Sequence, residues 1–149
     1  MLNEKLGKAL LAMLAAFTIA GCGKEVGRVP FSAEGSKTSV AQLAAGDVAF
    51  WTDLDIKYDG DAALEYRVDL LQDGSSVASA VCDPLGPLSI KELWSESRSG
   101  ASRSESGMGK MACSAHLAKG GVTAVQTSLA FGIRPVALAL AKADLVLKQ

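Results

Sequence analysis

The stretch "DVAFWTDLDIKY", residues 47–58, alternates apolar and polar side chains along most of its length. One parity carries large apolar residues, namely Val48, Phe50, Leu54, Ile56 and Tyr58. The other parity carries the charged residues Asp47, Asp53, Asp55 and Lys57. Successive side chains of a β-strand point to opposite faces, so a repeat of two residues is typical of a half-buried strand. The stretch therefore predicts a strand with one face in a core.

The same alternation recurs on both sides of turn signals further along the chain. "LEYRVDLLQ", residues 64–72, is followed by Asp73-Gly74, a pair that favours a type I′ hairpin turn. The run 77–82 would then pair back antiparallel. "KMACSAHLA" (110–118) and "VTAVQTSLAF" (122–131) flank Gly120-Gly121 in the same way, and the end of the chain, residues 143–148, alternates more weakly.

These segments predict a mainly β fold, an antiparallel β-sandwich of about seven or eight strands that spans residues 38–149. An α+β fold is the alternative. Its helix would cover residues 38–45, because Thr38 or Ser39 can cap the start and Gly46 can end it.

The segment "SESRSGASRSESGMG", residues 95–109, is rich in serine, glycine and scattered charges. Such a composition buries too little apolar surface to offset the entropy lost on ordering. It predicts a mobile, serine-rich surface loop within the domain. The loop is either a plain linker or a binding loop that a rigid scaffold holds in place.

The first 21 residues have the layout of a signal peptide. Lys5 and Lys8 precede an apolar run from Ala9 to Ala20, which ends in small residues. A membrane-spanning helix needs about 20 apolar residues, so this run is too short to remain as a transmembrane anchor. We predict a signal helix over residues 1–21 that is removed from the mature protein.

The end of this run, Ile19-Ala20-Gly21-Cys22, resembles the lipobox of bacterial lipoproteins. The resemblance implies that the Cys22 thiol is alkylated by a diacylglyceryl group and that a signal peptidase cuts between Gly21 and Cys22. Acyl chains on Cys22 would then anchor the protein in a membrane. Residues 22–37 would form a flexible tether between lipid and domain. The alternatives are an ordinary secretory signal with an incidental cysteine and a buried N-terminal helix.

The resemblance also bears on location and partners. In Gram-negative lipoproteins an aspartate after the lipidated cysteine marks retention in the inner membrane, whereas this chain has Gly23 there. We therefore expect a cell-envelope protein on the outer membrane, facing the periplasm. A formal net charge of −1, with no basic cluster, argues against nucleic acid as a partner. An envelope protein or a glycan is the expected partner.

The chain has three cysteines, of which Cys82 and Cys113 fall in the predicted domain. Export permits oxidation, so we expect a disulfide between them, with two buried thiols as the alternative. A cysteine-based metal site is not expected with a single histidine, and we expect no cofactor.

Four aspartates, Asp53, Asp55, Asp59 and Asp61, lie within "DLDIKYDGD". Clustered carboxylates suit calcium, but Lys57 and Tyr66 occupy ligand positions of an EF-hand loop begun at Asp55, so that motif fails. A different calcium site remains an alternative to a solvated strand face.

No catalytic motif is visible in the sequence. His116 is predicted to face solvent, and the acids Asp83, Glu92 and Glu96 could form a carboxylate pair only if the fold brought them together. We therefore expect a lipid-anchored, non-enzymatic envelope protein with a binding or structural domain. A calcium-dependent adhesion or carbohydrate-binding module is the alternative, and a hydrolase is a third hypothesis.

Overall fold

The computed structural model describes residues 23–149, which form nine strands and no helix. The strands are β1 (Glu25–Val29), β2 (Gly35–Leu43), β3 (Gly46–Asp59), β4 (Ala63–Gln72), β5 (Ser75–Cys82), β6 (Leu88–Ser99), β7 (Ser102–Leu117), β8 (Gly121–Ile133) and β9 (Ala137–Lys148). Over these residues nothing helical is long and apolar enough to cross a membrane.

The strands form two antiparallel sheets that pack face to face. The five-stranded sheet has the order β1-β9-β3-β7-β6, and the four-stranded sheet has the order β2-β8-β4-β5. The predicted mainly β sandwich is confirmed, with nine strands in the described residues where about seven or eight were expected.

The core lies between the inward faces of β3 and the four-stranded sheet. The five apolar residues predicted for the inward parity of β3 are all buried, and β4 contributes Leu64, Tyr66, Val68 and Leu70. Thr52 shares the inward parity of β3, and its Oγ1 lies 2.9 Å from the Tyr66 hydroxyl across the core. Burial raises the pKa of Tyr66, so its hydroxyl stays protonated as a hydrogen-bonding group.

The hairpin predicted at Asp73-Gly74 is present between β4 and β5. Both turn residues have positive φ, 52° and 78°, as a type I′ turn requires. The pairing places Tyr66 opposite Cys82, which turns that cysteine toward the core.

The predicted disulfide between Cys82 and Cys113 is also present, and it joins β5 to β7. These strands belong to different sheets. The bond therefore ties the two layers together near the open edge of each, and it constrains the unfolded chain over a separation of 31 residues.

The alternative helix at 38–45 is wrong. Residues 35–43 form β2, which pairs with β8 from Gly35 opposite Leu129 to Leu43 opposite Gly121. Ala41 and Leu43 point into the core. The local helix signals were weaker than this ladder, because propensity yields to tertiary pairing and burial.

The predicted tether over residues 22–37 is also too long. β1 lies within it and pairs with β9, and β2 begins at Gly35. Val29 and Phe31 are buried in the core. The sandwich therefore already includes β1, which starts at Glu25 and fills the edge position beside β9.

The predicted mobile loop over 95–109 is a hairpin instead. β6 runs to Ser99, Gly100-Ala101 turns, and β7 begins at Ser102. Order here comes from the backbone ladder rather than from apolar burial: β7 pairs with β3 on one side, up to Asp59 opposite Ser102, and with β6 on the other. Composition alone could not reveal these hydrogen bonds.

We expect Tyr66→Phe to lower the free energy of unfolding by about 1–2 kcal/mol, because it leaves the buried Thr52 hydroxyl without its partner. Thr52→Val combined with Tyr66→Phe should cost less than the sum of the single changes. Urea denaturation of the four proteins in a double-mutant cycle measures this coupling. Strict additivity would mean that the contact does not link the sheets energetically.

Candidate functional site

A polar surface covers the outward face of the four-stranded sheet. Alternation turns Val68, Thr127 and Ala41 inward, so their neighbours point to solvent. Three strands contribute two outward rows. The first row is Ser36, Ser128 and Arg67, and the second row is Thr38, Gln126 and Asp69. We call these six residues the polar face.

The polar face lines a shallow cavity of about 430 Å³. Its side chains include hydroxyls, an amide, a carboxylate and a guanidinium, and they can both donate and accept hydrogen bonds. Small-molecule sites combine concavity with a few convergent polar groups in this way. The surface is therefore suited to a ligand with many hydroxyl groups.

Two members of the polar face are held in place by neighbours. The Arg67 Nε donates to Glu65 at 2.9 Å, and this bond raises the pKa of Arg67. The Ser76 hydroxyl donates to Asp69. Within the described residues the side chains of Ser36, Thr38, Gln126 and Ser128 make no protein hydrogen bond, so they remain open to a ligand.

A less polar row borders the polar face. Val40 lies opposite Ala124, and Ala124 lies opposite Leu71 on the other side. Val40 is 71% exposed, and the neighbouring Val122 is 65% exposed. The face thus places hydrogen-bonding groups beside apolar surface.

Arg28 organises the outward face of the five-stranded sheet. Its guanidinium contacts Asp53 at 2.8 Å, Asp144 at 2.9 Å and Glu25 at 2.8 Å, so it joins β1, β3 and β9. Asp144 is buried and also accepts from the Phe31 amide at 3.2 Å. The Arg28 hydrogen bond lowers the pKa of Glu25.

The four aspartates of the calcium hypothesis do not converge. Asp53 is engaged by Arg28 and lies 3.6 Å from the Lys142 ammonium. Asp55 and Asp59 follow on the outward parity of β3, and Asp61 lies in the connection to β4. Between residues 23 and 149, no three histidine, cysteine or acidic side chains are grouped as metal ligands would be.

The three acids considered for hydrolysis have separate partners. Asp83 accepts from the Leu85 amide, Glu92 lies 3.9 Å from Lys148, and Glu96 accepts from Lys91 at 3.0 Å. The Lys91 hydrogen bond lowers the pKa of Glu96.

The fold instead places Glu96 opposite a carboxyl that the sequence analysis missed, Glu105. Burial, followed by the nearby Glu96 charge, raises the pKa of Glu105. The pair lies in the β6–β7 hairpin, lining a small cavity formed by that hairpin alone. The mirror symmetry of "SESRSGASRSES" about its turn was the signal that could have revealed this pairing.

The remaining predicted residues have clear positions. His116 is exposed, as expected, and its Nδ1 lies 2.8 Å from Asp47. Gly21 and Cys22 lie outside the described residues, so the lipobox prediction stays a prediction.

The polar face was also missed, because its residues come from three strands and became neighbours only through pairing. Thr38 was considered only as a possible cap, with Ser39, of the alternative helix, and Gln126 and Ser128 were only the polar positions of a predicted strand. The chain matches no protein-family model, and no curated protein or solved structure is significantly similar to it.

Replacing Arg28 with Met should lower the free energy of unfolding by about 2–3 kcal/mol, because Asp53 and Asp144 would be left as neighbouring like charges without a cation between them. Part of this stability should vanish in acid, since the lowered pKa of Glu25 stabilises the fold only while that carboxyl is charged.

The matched control is Arg67→Met, whose ion pair with Glu65 is exposed to solvent, so its loss should change the stability far less than the loss of Arg28. Thermal and urea unfolding at pH 7 and pH 3.5 measure both variants. Equal losses in the two variants would contradict a structural role for the Arg28 cluster.

Proposed function

We propose that this protein is a lipid-anchored, non-enzymatic lipoprotein of the bacterial cell envelope that binds a glycan on the polar face. The observation that carries the binding proposal is the 430 Å³ cavity lined by two hydrogen-bonding rows. Sugars present hydroxyl groups at the ring edge and C–H groups on the ring face, which suits polar rows beside the Val40–Leu71 row. The lining also carries Arg67, Lys37 and Asp69, charged groups of both signs that can donate to and accept from sugar hydroxyls.

The position of Gly23 supports the anchoring half of the proposal. Gly23 borders a cavity with Trp51, Lys110 and Lys148, on the outward side of the five-stranded sheet. Lysine is typical of surfaces at the membrane interface, whereas Trp51 is buried, with the Lys148 ammonium 3.9 Å from the centre of its ring. Lys24 pairs with Gln149 through two backbone hydrogen bonds, of 2.7 and 3.1 Å, so the domain begins two residues after Cys22. A lipidated Cys22 would hold the sandwich close to the bilayer.

The outer membrane, facing the periplasm, is the proposed address, on the strength of Gly23 after the cysteine. The polar face and the Gly23 region lie on the outward sides of different sheets. With the five-stranded sheet toward the lipid, the polar face would point away from the membrane and toward envelope glycans.

A calcium-dependent adhesion or carbohydrate-binding module remains the second candidate. Its support is the aspartate-rich segment, and the engagement of Asp53 by Arg28 ranks it lower. The two candidates differ in whether binding needs calcium.

Cys22→Ser should accumulate as unprocessed precursor in a bacterial host, because only a thiol can accept the diacylglyceryl group. Mass spectrometry of the envelope-purified protein should show acyl chains on Cys22 and loss of residues 1–21. Cys113→Ala is the matched control and should be processed normally. Normal cleavage and membrane retention of Cys22→Ser would refute the lipobox assignment.

The binding proposal is tested with an array of neutral bacterial envelope oligosaccharides. Gln126→Ala and Thr38→Ala should each weaken the recovered binding about tenfold, the effect of losing roughly 1.4 kcal/mol of hydrogen bonding. Asp55→Ala, on the outward face of the other sheet, should leave the affinity unchanged. Binding in a calcium chelator should equal binding in millimolar calcium.

Loss of binding in chelator would favour the calcium-dependent module instead. Equal effects of Asp55→Ala and Gln126→Ala would move the binding site away from the polar face. No binding to any sugar of the array would refute a neutral glycan as the ligand.

A further inference from the structure

The β6–β7 hairpin pairs every residue of a palindrome with its own kind. In "SESRSGASRSES", Ser95 lies opposite Ser106, Glu96 opposite Glu105, Ser97 opposite Ser104, Arg98 opposite Arg103 and Ser99 opposite Ser102. One face of the hairpin therefore carries serines, and the other carries two carboxyls beside two guanidiniums. No opposite charges face each other directly across the two strands.

Direct pairs of like charges destabilise a strand pair. The Glu105 Oε2 is buried and has no hydrogen-bond partner. The raised pKa of Glu105, with burial as its first cause and Glu96 as its second, agrees with that strain. Glu96 has the Lys91 ammonium beside it, at 3.0 Å, but neither Glu96 nor Arg98 has an opposite charge directly across the hairpin.

The outer edge of β6 is open. Within residues 23–149, β6 pairs with β7 alone and is the last strand of its sheet. Residues 95–99 are all exposed. An open edge presents unpaired backbone N–H and C=O groups, which form a template for another strand. The stretch contains no proline to block such pairing.

We propose that β6 pairs antiparallel with β6 of a second copy of this chain, in a register centred on Ser97. A two-fold axis through this centre places Glu96 opposite Arg98 of the other copy, and Arg98 opposite its Glu96. Each charge would then gain the opposite charge that the hairpin does not place across from it. The same surface serves both copies, as two-fold symmetry requires.

A bulge in β6 sets one end of the segment that can pair in this register. The β6–β7 register shifts between Glu92 and Ser95, where Leu93 has φ of 50° and is 97% exposed. In the proposed dimer the Leu93 position falls near the Gly100-Ala101 turn of the second copy. The bulge therefore ends the regular edge at Ser95 and limits pairing to the complementary stretch.

The first test uses full-length Ser97→Cys produced in a bacterial envelope. Directly opposed residues of an antiparallel pair have Cβ atoms about 4.5–5.5 Å apart, close enough for a disulfide under mild oxidation. Non-reducing electrophoresis should show a dimer, and mass spectrometry should identify the 97–97 linked peptide. Ser104→Cys is the matched control, because β6 separates it from the partner, and it should stay monomeric.

The second test changes the charges in the Ser97→Cys background. Glu96→Arg would place like charges opposite each other and should reduce the cross-linked fraction at least fivefold. Adding Arg98→Glu exchanges the two charges, restores complementarity and should recover most of the dimer. Equal cross-linking in all three proteins would overturn the proposed register.

A third test uses a pair of variants and applies if Ser97→Cys accumulates poorly. Ser95 lies opposite Ser99 of the other copy in this register, so Ser95→Cys and Ser99→Cys should cross-link when produced together. Neither variant should cross-link with itself. Cross-linking of Ser97→Cys no stronger than that of Ser104→Cys, or absence of the mixed 95–99 product, would overturn the proposal.

Discussion

The fold depends on the packing of the inward face of β3 against the four-stranded sheet. β3 is the middle strand of its sheet, and its buried side chains meet those of β4 across the core. Thr52 and Tyr66 add a hydrogen bond inside this packing, which is possible only in one alignment of the layers. The disulfide between Cys82 and Cys113 then ties the layers at a second place. The hydrogen bond reaches β4 through Tyr66, and the disulfide reaches β5 through Cys82.

The outward faces are free to differ because the inward faces satisfy the core. On one side, Arg28 compensates acids from three strands and occupies Asp53, so that charge serves stability. On the other side, the polar face has few internal partners and a concave shape. The contrast between a compensated surface and an open one is the physical reason for proposing the four-stranded sheet as the binding surface. The β6 edge is the third kind of surface, with an open backbone edge and with like charges directly opposite each other across the hairpin.

Sequence reasoning succeeded where the signal was local and failed where order came from a distant strand. The alternation in 47–58 and the Asp73-Gly74 turn needed no knowledge of partners, since period and turn geometry carry the information. The helix proposed at 38–45 failed because β8 pairs with that segment. The prediction of a mobile loop at 95–109 was wrong because it judged order by apolar burial alone. In the structure, β3 and β6 order β7 through backbone hydrogen bonds.

The sequence by itself determined the mainly β class, the residues that face the core along β3, and a cysteine pair suited to oxidation. It also carries the lipobox resemblance at Cys22, which rests on adjacent residues alone. Only the tertiary structure decided that Ser36, Ser128 and Arg67 form a row, that Arg28 meets Asp144, and that Glu96 faces Glu105. The physical reason is that alternation specifies which way a side chain points, while strand order and register specify which side chains become neighbours.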